Sequence, residues 1–584
     1  MSTVNAARMP EYTSAKRVPM PEQQHVSTET QSIPTSQIAH EGPTGGDILV
    51  AAMRAAGVDV AFGVISIHNL PLVEAVARDL RFVTVRHEAA AINAADGYAR
   101  ATRGVGVAIT STGSGAGNAA GAMLEALTAQ SRVLHVTGNI ESQFLGEDRG
   151  VYHEVPRQFQ LLGSVSDHAL RVESEREAAG VIAEALSLLE TAPHGPVSVD
   201  WPIDLQYTAD PGDQEKSTVE TPQPKAPSAE NVAVAAQVMR EARRPLIWVG
   251  GGARRVGAAM TELAEAWGAG VLSGANGRGS VPEDHPLIIG NFAVHEELEA
   301  LLKEADCLLT VGSHLRANET SSFQLPLPKN HVQIDLDPDA IGRNFPIAVG
   351  IQADARLAVP ALLEALGQEA IATEDGWAVR VGAAADAARA AHRGDIGAYS
   401  QICDAMRSRL PRDGVVVRDV CIPGSSWGNR LLAVYDPTSN IYAAGGGIGQ
   451  GLAQAIGAAI GRDGTPVLAM IGDGGLSVHL GEFATLATEQ VPVIVTLFND
   501  AGFGVLRNMQ TAKDAPHRAV DLMTPDFALL CEAFGIPHAK VQTADEYDSA
   551  LTNAIGAGGP AVIEVDVPAL KPEPKPLVPP VNVP

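Results

Sequence analysis

Short apolar runs of strand length alternate with helical patterns along most of the chain, and many of these runs end at a glycine. The run over 58–64 leads into a loop, and the run over 81–87 leads directly into a helical pattern over 88–102. The same succession recurs in the second half of the chain, most clearly over 466–498. Strands that alternate with helices form parallel sheets with crossover helices. The sequence therefore predicts an α/β fold of three doubly wound parallel-sheet domains.

Polar and proline-rich stretches separate the predicted domains. The stretch over 207–228 is polar and rich in proline, which is typical of a linker between domains. A second stretch, over 367–395, is rich in alanine and charged residues and is typical of a helical linker. The predicted domains are therefore 44–206, 229–366 and 396–567.

The two ends of the chain differ from the domains in composition. Residues 1–43 are rich in Ser, Thr, Gln and Pro and contain few large apolar residues, so we expect a disordered extension. Residues 568–584 contain seven prolines, which disfavour a helix or a central strand. We expect an extended polyproline-type tail there.

Charge and cysteine content exclude several classes of function. The formal net charge is −26, so the chain lacks the basic surface of nucleic-acid-binding proteins and is repelled by anionic membrane surfaces. It contains no run of about 18 uncharged apolar residues of the kind that spans a membrane. Its four cysteines form no CxxC pair, which argues against a thiolate zinc site. Four thiols in so long a chain do not form a disulfide framework, which is typical of a reducing compartment. We therefore expect a cytoplasmic protein with no nucleic-acid or membrane partner.

Carboxylates follow two successive strands of the third predicted domain. The first carboxylate lies in a turn that consists of Gly472, Asp473, Gly474 and Gly475. The second is Asp500, which comes 27 residues later and directly after the next strand. The carboxyl ends of parallel strands meet at one edge of a sheet, and glycine lets the backbone approach a phosphate closely. Two carboxylates and a diphosphate form an all-oxygen site that suits Mg²⁺ or Ca²⁺ rather than a soft metal.

This pattern resembles the cofactor signature of the thiamine diphosphate (ThDP) enzymes. Over residues 44–567 the chain resembles the branch that contains acetolactate synthase, benzoylformate decarboxylase, benzaldehyde lyase and 2-hydroxyacyl-CoA lyase. The resemblance implies pyrimidine-binding, central and diphosphate-binding domains in that order. It also implies ThDP held by Mg²⁺ on Asp473, Asp500 and the carbonyl group of Gly502. Asn499 is then a neighbour of the metal, although a shift of one residue would exchange it with Asp500.

A glycine-rich run over 445–461 matches a second element of this family. By itself the run predicts a loop that leads into a tightly packed helix. The resemblance implies that Gly446 lies at the cofactor and that Ile448 is the bulky residue under the bent cofactor. Ser111 falls where benzoylformate decarboxylase has a catalytic histidine, so that enzyme's usual chemistry is not expected. We place Ser111 among the cofactor-binding residues instead.

The segment around Glu88 resembles the activating element of the family. From the residues alone, a glutamate at this place also suits a helix N-terminus, where it complements the helix dipole. The resemblance implies that Glu88 gives a proton to N1′ of ThDP, which leads to a C2 ylide and then an enamine intermediate. In the family, the glutamate and the diphosphate motif at one cofactor come from different chains. The resemblance thus implies a homodimer or homotetramer with active sites between chains.

Three further polar residues are candidates for proton transfer at the substrate. His68 follows a predicted strand and fits the place of an active-site histidine in benzaldehyde lyase. Tyr152 and His153 match an element of acetolactate synthase that faces C2 of the cofactor. A histidine near C2 can move protons to or from a carbonyl or an alkoxide.

The chain departs from acetolactate synthase at three places on the acceptor side. The arginine that holds the second 2-oxo acid reads as Asn318, the tryptophan after the metal loop reads as Met509, and a lysine reads as Asp167. These departures argue against an authentic biosynthetic acetolactate synthase. They leave the predicted activation of the cofactor intact.

The expected function is a ThDP- and Mg²⁺-dependent decarboxylase, lyase or carboligase that acts on a small carbonyl substrate, a 2-oxo acid or a 2-hydroxy ketone. One alternative is an enzyme like 2-hydroxyacyl-CoA lyase or oxalyl-CoA decarboxylase. A second is a non-catalytic subunit that binds ThDP. Relatives bind FAD or an adenine nucleotide near the central domain, and the glycine turn with two arginines at 250–255 is a weak signal for phosphate there.

Overall fold

The computed structural model describes residues 43–208, 223–367, 371–571 and 574–579, and these residues build three six-stranded sheets in which all paired strands are parallel. Helices alternate with the strands throughout. The predicted fold class is therefore confirmed. Apart from Pro43, the predicted N-terminal extension lies outside the described residues, as does most of the predicted linker over 207–228.

The first sheet and its helices come from residues 45–202. Its strands are β1 (Val60–Gly63), β2 (Arg81–Thr84), β3 (Gly106–Thr110), β4 (Val133–Asn139), β5 (His168–Arg171) and β6 (Val197–Pro202). Its helices are α1 (Gly45–Ala55), α2 (Leu70–Asp79), α3 (Glu88–Thr102), α4 (Ser114–Ala129), α5 (Gln158–Val165) and α6 (Ala178–Glu190). The strand order is β2-β1-β3-β4-β6-β5, so the connections from β1 and β3 lead to opposite sides of the sheet.

The second sheet comes from the middle of the chain. Its strands are β7 (Pro245–Val249), β8 (Gly270–Ser273), β9 (Ile288–Gly290), β10 (Cys307–Val311), β11 (Asn330–Asp335) and β12 (Val349–Gln352). Its helices are α7 (Ala229–Glu241), α8 (Ala258–Trp267), α9 (Glu296–Glu304), α10 (Ala355–Leu366) and α11 (Trp377–Ile396). The order is β12-β11-β10-β7-β8-β9, and the connections diverge between β10 and β7.

The third sheet repeats the strand order of the first. Its strands are β13 (Val415–Arg418), β14 (Asn440–Tyr442), β15 (Val467–Gly472), β16 (Val493–Asn499), β17 (His538–Val541) and β18 (Ala561–Asp566). Its helices are α12 (Tyr399–Arg409), α13 (Ile422–Ser425), α14 (Gly451–Gly461), α15 (Asp473–Leu476), α16 (Glu482–Glu489), α17 (Gly504–Ala512), α18 (Phe527–Phe534), α19 (Ala544–Ala557) and α20 (Val567–Leu570). The order β14-β13-β15-β16-β18-β17 places the divergence between β13 and β15.

Continuous apolar strands are explained by burial on both faces of each sheet. In β15, Val467, Ala469 and Ile471 pack into one core cluster, while Leu468 and Met470 pack into another. Successive side chains of a strand point to opposite faces, so a strand covered on both sides has no polar face.

Helices α3 and α14 join the first and third domains through direct backbone contact. A Cβ atom at Gly97 would lie 2.0 Å from the carbonyl oxygen of Gln454, and a Cβ atom at Gly457 would lie 1.9 Å from that of Ala94. A side chain larger than hydrogen therefore does not fit at either position, and glycine allows this close approach.

The C-terminal segment differs from the expected tail. Its start lies in α20, with Pro568 in the first turn and the Asp566 carboxylate accepting a hydrogen bond from Ala569 N–H at 3.2 Å. The prediction of no helix over 568–584 was thus wrong at its first residues, because the missing N–H of proline leaves no bond unmade in a first turn. Further on, the Leu577 carbonyl accepts a hydrogen bond from the Asn508 side chain at 3.2 Å.

Among the described helices, none is both long enough and apolar enough to cross a membrane.

Candidate cofactor and active site

The predicted site residues lie where the connections of each sheet diverge. In open parallel sheets, ligands bind at the carboxyl ends of the strands at this point. In the first sheet it lies between β1 and β3, which His68 and Ser111 follow. In the third sheet it lies between β13 and β15, and Asp473 follows β15 directly. The topology therefore places the predicted residues of both domains at binding edges.

Asp473 and Asp500 lie together beyond the paired strands β15 and β16. The backbone N–H of Asp500 donates a hydrogen bond to Oδ1 of Asp473 at 3.2 Å. Burial raises the pKa of the Asp473 carboxyl, and burial together with the charge of Asp473 raises the pKa of Asp500 to about 7. Within the described part of the chain, Oδ2 of Asp473 is buried without a hydrogen-bond partner. Two adjacent carboxylates disfavour each other's charged form because their negative charges repel. A bound cation would relieve this repulsion, so the pair suits a cation site.

Glycines around these carboxylates allow close approach of a third oxygen. A Cβ atom at Gly504 would lie 2.1 Å from Oδ2 of Asp500. A Cβ atom at Gly474 would lie 2.8 Å from the ring of Phe503 and 3.5 Å from the carbonyl oxygen of Gly502. The Gly502 carbonyl therefore lies beside the Gly-Asp-Gly turn. The described residues contain no cluster of three or more His, Cys, Asp or Glu side chains suited to a metal, so a metal here would need this carbonyl as well.

Asn499 uses its side chain away from the carboxylate pair. Its Nδ2 donates to Oε1 of Glu564 at 2.9 Å, and its Oδ1 accepts from Ala501 N–H at 3.1 Å. Asp500 instead forms an ion pair with Arg507 at 3.5 Å. This geometry favours the alignment that puts Asp500, not Asn499, beside Asp473.

The glycine-rich loop before α14 is held by Asp419, a residue that the sequence pattern did not single out. Asp419 follows β13 and is buried. Its carboxylate accepts hydrogen bonds from the N–H groups of Gly449 and Gly451 at 3.0 and 3.1 Å. A Cβ atom at Gly475 would lie 3.3 Å from Oδ2 of the same carboxylate. Asp419 thus joins the Gly-Asp-Gly turn to this loop.

Ile448 and Gly446 lie in the same loop. Gly446 has a φ of +80°, a left-handed conformation that glycine adopts without strain. Ile448 is 38% exposed, which is unusual for a large apolar residue in a loop fixed by buried hydrogen bonds. Its side chain is therefore available for contact with a molecule outside this chain's own core.

Glu88 begins α3 and lies against the N-terminal part of α4. Its Oε2 accepts a hydrogen bond from Nδ2 of Asn118 at 3.0 Å. A Cβ atom at Gly115 would lie 3.0 Å from Oε1 of Glu88 and 2.8 Å from Cβ of Ser111. The structure therefore brings Glu88 and Ser111 to one place. Glu88 is half-buried in the single chain, which leaves its carboxylate accessible to a ligand.

His68, His153 and Tyr152 form one cluster in the first domain. The Nδ1 atoms of His68 and His153 are 3.4 Å apart, and the Tyr152 ring lies over the His153 ring with centroids 3.9 Å apart. His68 is buried, whereas Tyr152 is 69% exposed. Burial and the charge of a protonated His153 lower the pKa of His68. The pair therefore has a neutral imidazole available near neutral pH, and such a group can accept a proton.

The carboxylates of the predicted active site are not bonded to one another within one chain. In the described residues, Glu88 shares no hydrogen bond or ion pair with Asp473 or Asp500. The two domains are in contact close to Glu88, since the Arg86 N–H donates a hydrogen bond to Oε1 of Glu482 at 3.0 Å.

A cavity of about 200 Å³ opens where the connections of the second sheet diverge. Six arginines are among the residues that line it, namely Arg100, Arg103, Arg132, Arg254, Arg255 and Arg356. Arg100 is buried, and its Nε and Nη2 atoms lack a hydrogen-bond partner among the described residues. Burial lowers the pKa of Arg254 and of Arg255 to about 10. Asp335, Asp337 and Asp354 also line this arginine-rich cavity, which includes residues of the turn over 250–255 that gave the weak phosphate signal.

The sequence pattern did not identify Asp419 or Asn118, and only Asp419 carries a signal in the sequence. Asp419 follows a strand end, as Asp473 does, so the same rule about strand ends identifies it. Asn118 lies inside a helix, and no local pattern distinguishes it from a surface asparagine.

Comparisons with known proteins agree with this geometry. Three models of thiamine pyrophosphate enzyme domains match the chain: the N-terminal TPP-binding domain at 43–161, the central domain at 232–362 and the C-terminal TPP-binding domain at 424–565. A crystal structure of a thiamin diphosphate-dependent enzyme candidate from Mycobacterium smegmatis shares the fold. Its TM-score is 0.75 at 22% identity, over 90% of this chain and 99% of that one.

Two curated relatives match over nearly the whole chain. The probable 2-ketoarginine decarboxylase of Pseudomonas aeruginosa is 31% identical over 525 residues, which cover 89% of this chain and 94% of the relative. The large subunit of acetolactate synthase isozyme 2 of Escherichia coli is 30% identical over 557 residues, which cover 92% and 97%. Together with the strand-end geometry, these matches show that the chain belongs to the thiamine diphosphate-dependent enzyme family, among lyases and transferases.

Proposed function

We propose that this chain uses ThDP and Mg²⁺ to cleave or form a carbon–carbon bond next to the carbonyl group of a 2-oxo acid or 2-hydroxy ketone, as a decarboxylase, lyase or carboligase. One observation carries the proposal. Asp473 and Asp500 lie together beyond the ends of two neighbouring parallel strands, the Gly502 carbonyl lies beside the turn, and Oδ2 of Asp473 is buried without a partner among the described residues.

In this proposal the third domain holds Mg²⁺ and the diphosphate group. Asp473, Asp500 and the Gly502 carbonyl provide oxygen ligands, which Mg²⁺ prefers. A cation offsets the cost of burying two carboxylates side by side, and it allows an acidic chain to hold an anionic cofactor. Gly472, Gly474 and Gly475 leave room for phosphate oxygens near the backbone.

Ile448 and Glu88 then act on the two ends of the cofactor. When bound, ThDP supplies a nucleophilic carbon, C2 of its thiazolium ring, that adds to a carbonyl group. Ile448 would support the cofactor from its exposed position in the loop, near Gly446. Glu88 would hold a proton for the pyrimidine end of the cofactor, with Asn118 orienting the Glu88 carboxylate. Ser111, beside Glu88, would contribute to the same part of the binding site.

His68, His153 and Tyr152 handle protons on the substrate. A neutral His68 accepts a proton, and His153, 3.4 Å away, exchanges it. The Tyr152 phenol lies over His153 and is exposed, so in this proposal it takes part in the same proton exchange.

The complete active site forms between two chains. Among the described residues of one chain, Glu88 shares no hydrogen bond or ion pair with Asp473 or Asp500. Ile67, Tyr152 and Ile448 are exposed apolar side chains. A homodimer or homotetramer that pairs the first domain of one chain with the third domain of another covers these side chains and unites Glu88 with the metal site.

The test measures turnover of a panel of substrates by purified protein, with and without ThDP and Mg²⁺. The panel contains 2-ketoarginine, aliphatic 2-oxo acids and 2-hydroxyacyl-CoA esters, because one relative's name points to 2-ketoarginine. Glu88→Gln is compared with Glu74→Gln, an exposed position in the same domain. We expect cofactor-dependent turnover that Glu88→Gln reduces by about 10²–10⁴-fold and Glu74→Gln leaves unchanged.

Other outcomes would select the alternatives. Cleavage of only the CoA esters would favour an enzyme like 2-hydroxyacyl-CoA lyase or oxalyl-CoA decarboxylase. ThDP binding without turnover of any substrate would favour a non-catalytic ThDP-binding subunit. Equal activity of Glu88→Gln and wild type would contradict the role of Glu88.

The arginine-lined cavity supports a second ligand, FAD or an adenine nucleotide such as ADP, in the central domain. A buried guanidinium that has no partner for two of its nitrogens among the described residues suits a phosphate group at the edge of a parallel sheet. Binding of ADP and of FAD to wild type is compared with binding to Arg254→Ala and to Arg81→Ala, an exposed arginine outside the cavity. Weaker binding by Arg254→Ala alone supports the site, and equal binding by all three proteins contradicts it.

A cytoplasmic location is consistent with this function. All four cysteines are buried and unpaired. Unpaired thiols are typical of a reducing compartment.

A further inference from the structure

The loop that carries Ile448 is held at both ends by buried carboxylates from two different domains. Asp419 of the third domain accepts hydrogen bonds at the end of the loop, as described above. At its start, the Glu125 carboxylate on α4 of the first domain accepts hydrogen bonds from the N–H groups of Ala444 and Gly445, the latter at 2.7 Å. Ile448 lies between these two anchors.

Glu125 occupies an unusual place for a glutamate. Glu125 is only 2% exposed, and its carboxylate accepts hydrogen bonds from backbone N–H groups rather than from an arginine or lysine. Burying a carboxylate in this way is costly unless hydrogen bonds satisfy it. A buried glutamine or an apolar residue would fill the same space at lower cost. The carboxylate is therefore explained best by the two donors that it fixes.

The surroundings of Glu125 connect the anchor to the contact between domains. Arg100 on α3 lies near it and donates a hydrogen bond to the Tyr442 carbonyl, directly before the loop, at 2.9 Å. Asp96 on the same helix accepts a hydrogen bond from the Gln454 side chain, after the loop, at 2.9 Å. Both contacts lie beside the tightly packed crossing of α3 and α14.

The backbone at the start of the loop lies close against the Glu125 carboxylate. A Cβ atom at Gly445 would lie 2.8 Å from Oε2 of Glu125. The next residue, Gly446, has the left-handed conformation that turns the chain toward Ile448. Removal of the carboxylate would free both N–H groups and leave the backbone bonds from Ala443 to Arg418 and from Gly446 to Ala443 to hold the turn.

We propose that Glu125 is a positioning residue of the first domain that fixes the glycine-rich loop of the third domain, so that Ile448 is presented to the cofactor only when these two domains are docked. The inference rests on the proposed ThDP site. Glu125 itself touches neither cofactor nor substrate and acts through Ala444 and Gly445.

The test compares Glu125→Ala and Glu125→Gln with Glu283→Gln in the full-length protein. Glu283 is a control of similar burial, since its side chain is only 8% exposed and accepts a hydrogen bond from the Val434 N–H of the third domain at 2.9 Å; it also forms an ion pair with Arg278 at 2.6 Å. Two quantities are measured: hydrogen exchange of the peptide 443–450 without cofactor, and the dissociation constant of ThDP in the presence of Mg²⁺.

We expect faster exchange of residues 443–450 in both Glu125 variants and a dissociation constant raised about 10–100-fold, as for residues that orient a ligand-binding group. Glu283→Gln should lower the melting temperature and change neither quantity. Unchanged exchange in Glu125→Ala would overturn the proposal, as would an equal loss of affinity in the Glu283 control.

The two proposals fail in different ways. If wild type does not bind ThDP, the proposed function fails, and the exchange measurement still decides whether Glu125 anchors the loop. If Glu125→Ala does not fold, Glu125→Gln keeps the side-chain volume but places an amide N–H₂ near two N–H donors. The hydrogen exchange and the ThDP affinity of Glu125→Gln then decide by themselves whether Glu125 anchors the loop.

Discussion

The first and third sheets have the same strand order, but the residues that follow their strands differ in chemistry. In the first domain, the groups at the diverging strands are His68, Ser111 and the nearby Glu88, which can hold or move protons. In the third domain they are Asp419 and Asp473, which can anchor backbone and bind a cation. The shared topology provides a binding edge in both cases, and the side chains at that edge decide the chemistry.

The difference also extends to what each domain needs from the other. The third domain has an exposed apolar side chain, Ile448, in a loop whose later part is held by its own Asp419 carboxylate. The first domain provides the second anchor through Glu125. Two domains of equal topology therefore have complementary roles, and neither has a complete site.

The largest expected effect is that of removing one carboxylate of the third domain, because cation binding is the role that distinguishes this domain from the first. We expect Asp473→Asn to weaken ThDP binding in the presence of Mg²⁺ by about 100–1000-fold, because one charge of a buried cation site is lost. The measurement is a calorimetric titration with ThDP at fixed Mg²⁺. Asp463→Asn, an exposed change in the same domain, should bind as wild type does. If Asp473→Asn binds equally well, the metal site lies elsewhere.

A change in the histidine pair should affect turnover and leave cofactor binding intact. We expect His68→Asn to lower kcat by about 100-fold, the lower end of the range for general acid–base catalysis, without a change in the dissociation constant of ThDP. Steady-state kinetics and the same titration measure the two quantities. Loss of ThDP affinity in His68→Asn would instead place the residue at the cofactor.

The contact between the two domains can be tested through its glycines. We expect Gly97→Ala to lower the free energy of unfolding by about 3 kcal/mol, because the added Cβ would lie 2.0 Å from a carbonyl oxygen of α14. Gly117→Ala, in the open part of α4, has no atom within 4 Å of the added Cβ and should be neutral or slightly stabilising. Thermal unfolding of both variants measures the difference. Equal stability would contradict the close contact between the helices.

The smallest expected effect concerns the pH dependence of stability at Glu125. Burial and the charge of Asp96, only partly offset by Arg100 and the two N–H donors, raise the pKa of Glu125 from 4.5 to about 7. A raised carboxyl pKa means that the folded state binds the proton more tightly, so wild type loses stability as the pH rises from 4.5 to about 7. Relative to Glu125→Gln, we expect a loss of about 2 kcal/mol across this interval. Chemical unfolding at a series of pH values measures the difference in unfolding free energy between wild type and Glu125→Gln. If that difference does not change with pH, the prediction is wrong.

Much of the architecture followed from local patterns, while the anchoring groups did not. The apolar strand 466–471 and the turn after it predicted a binding edge at Asp473, because strand ends and glycine turns are recognised from residues adjacent in sequence. Glu125 could not be recognised in this way, since its partner Gly445 is 320 residues away. The first residues of the tail were mispredicted because proline disfavours a helix interior but not a first turn, and only the fold shows where a turn begins.

Taken alone, the amino-acid sequence determined the three parallel α/β domains and the carboxylates and glycines after their strands, because these depend on periodicity and on neighbouring residues. The histidine candidates followed from the family resemblance. The tertiary structure decided which of them meet: Glu88 with Ser111, His68 with His153, and Asp419 and Glu125 at the two ends of one loop. Such contacts join residues far apart in the chain, and their energy depends on burial and distance, which no local pattern contains.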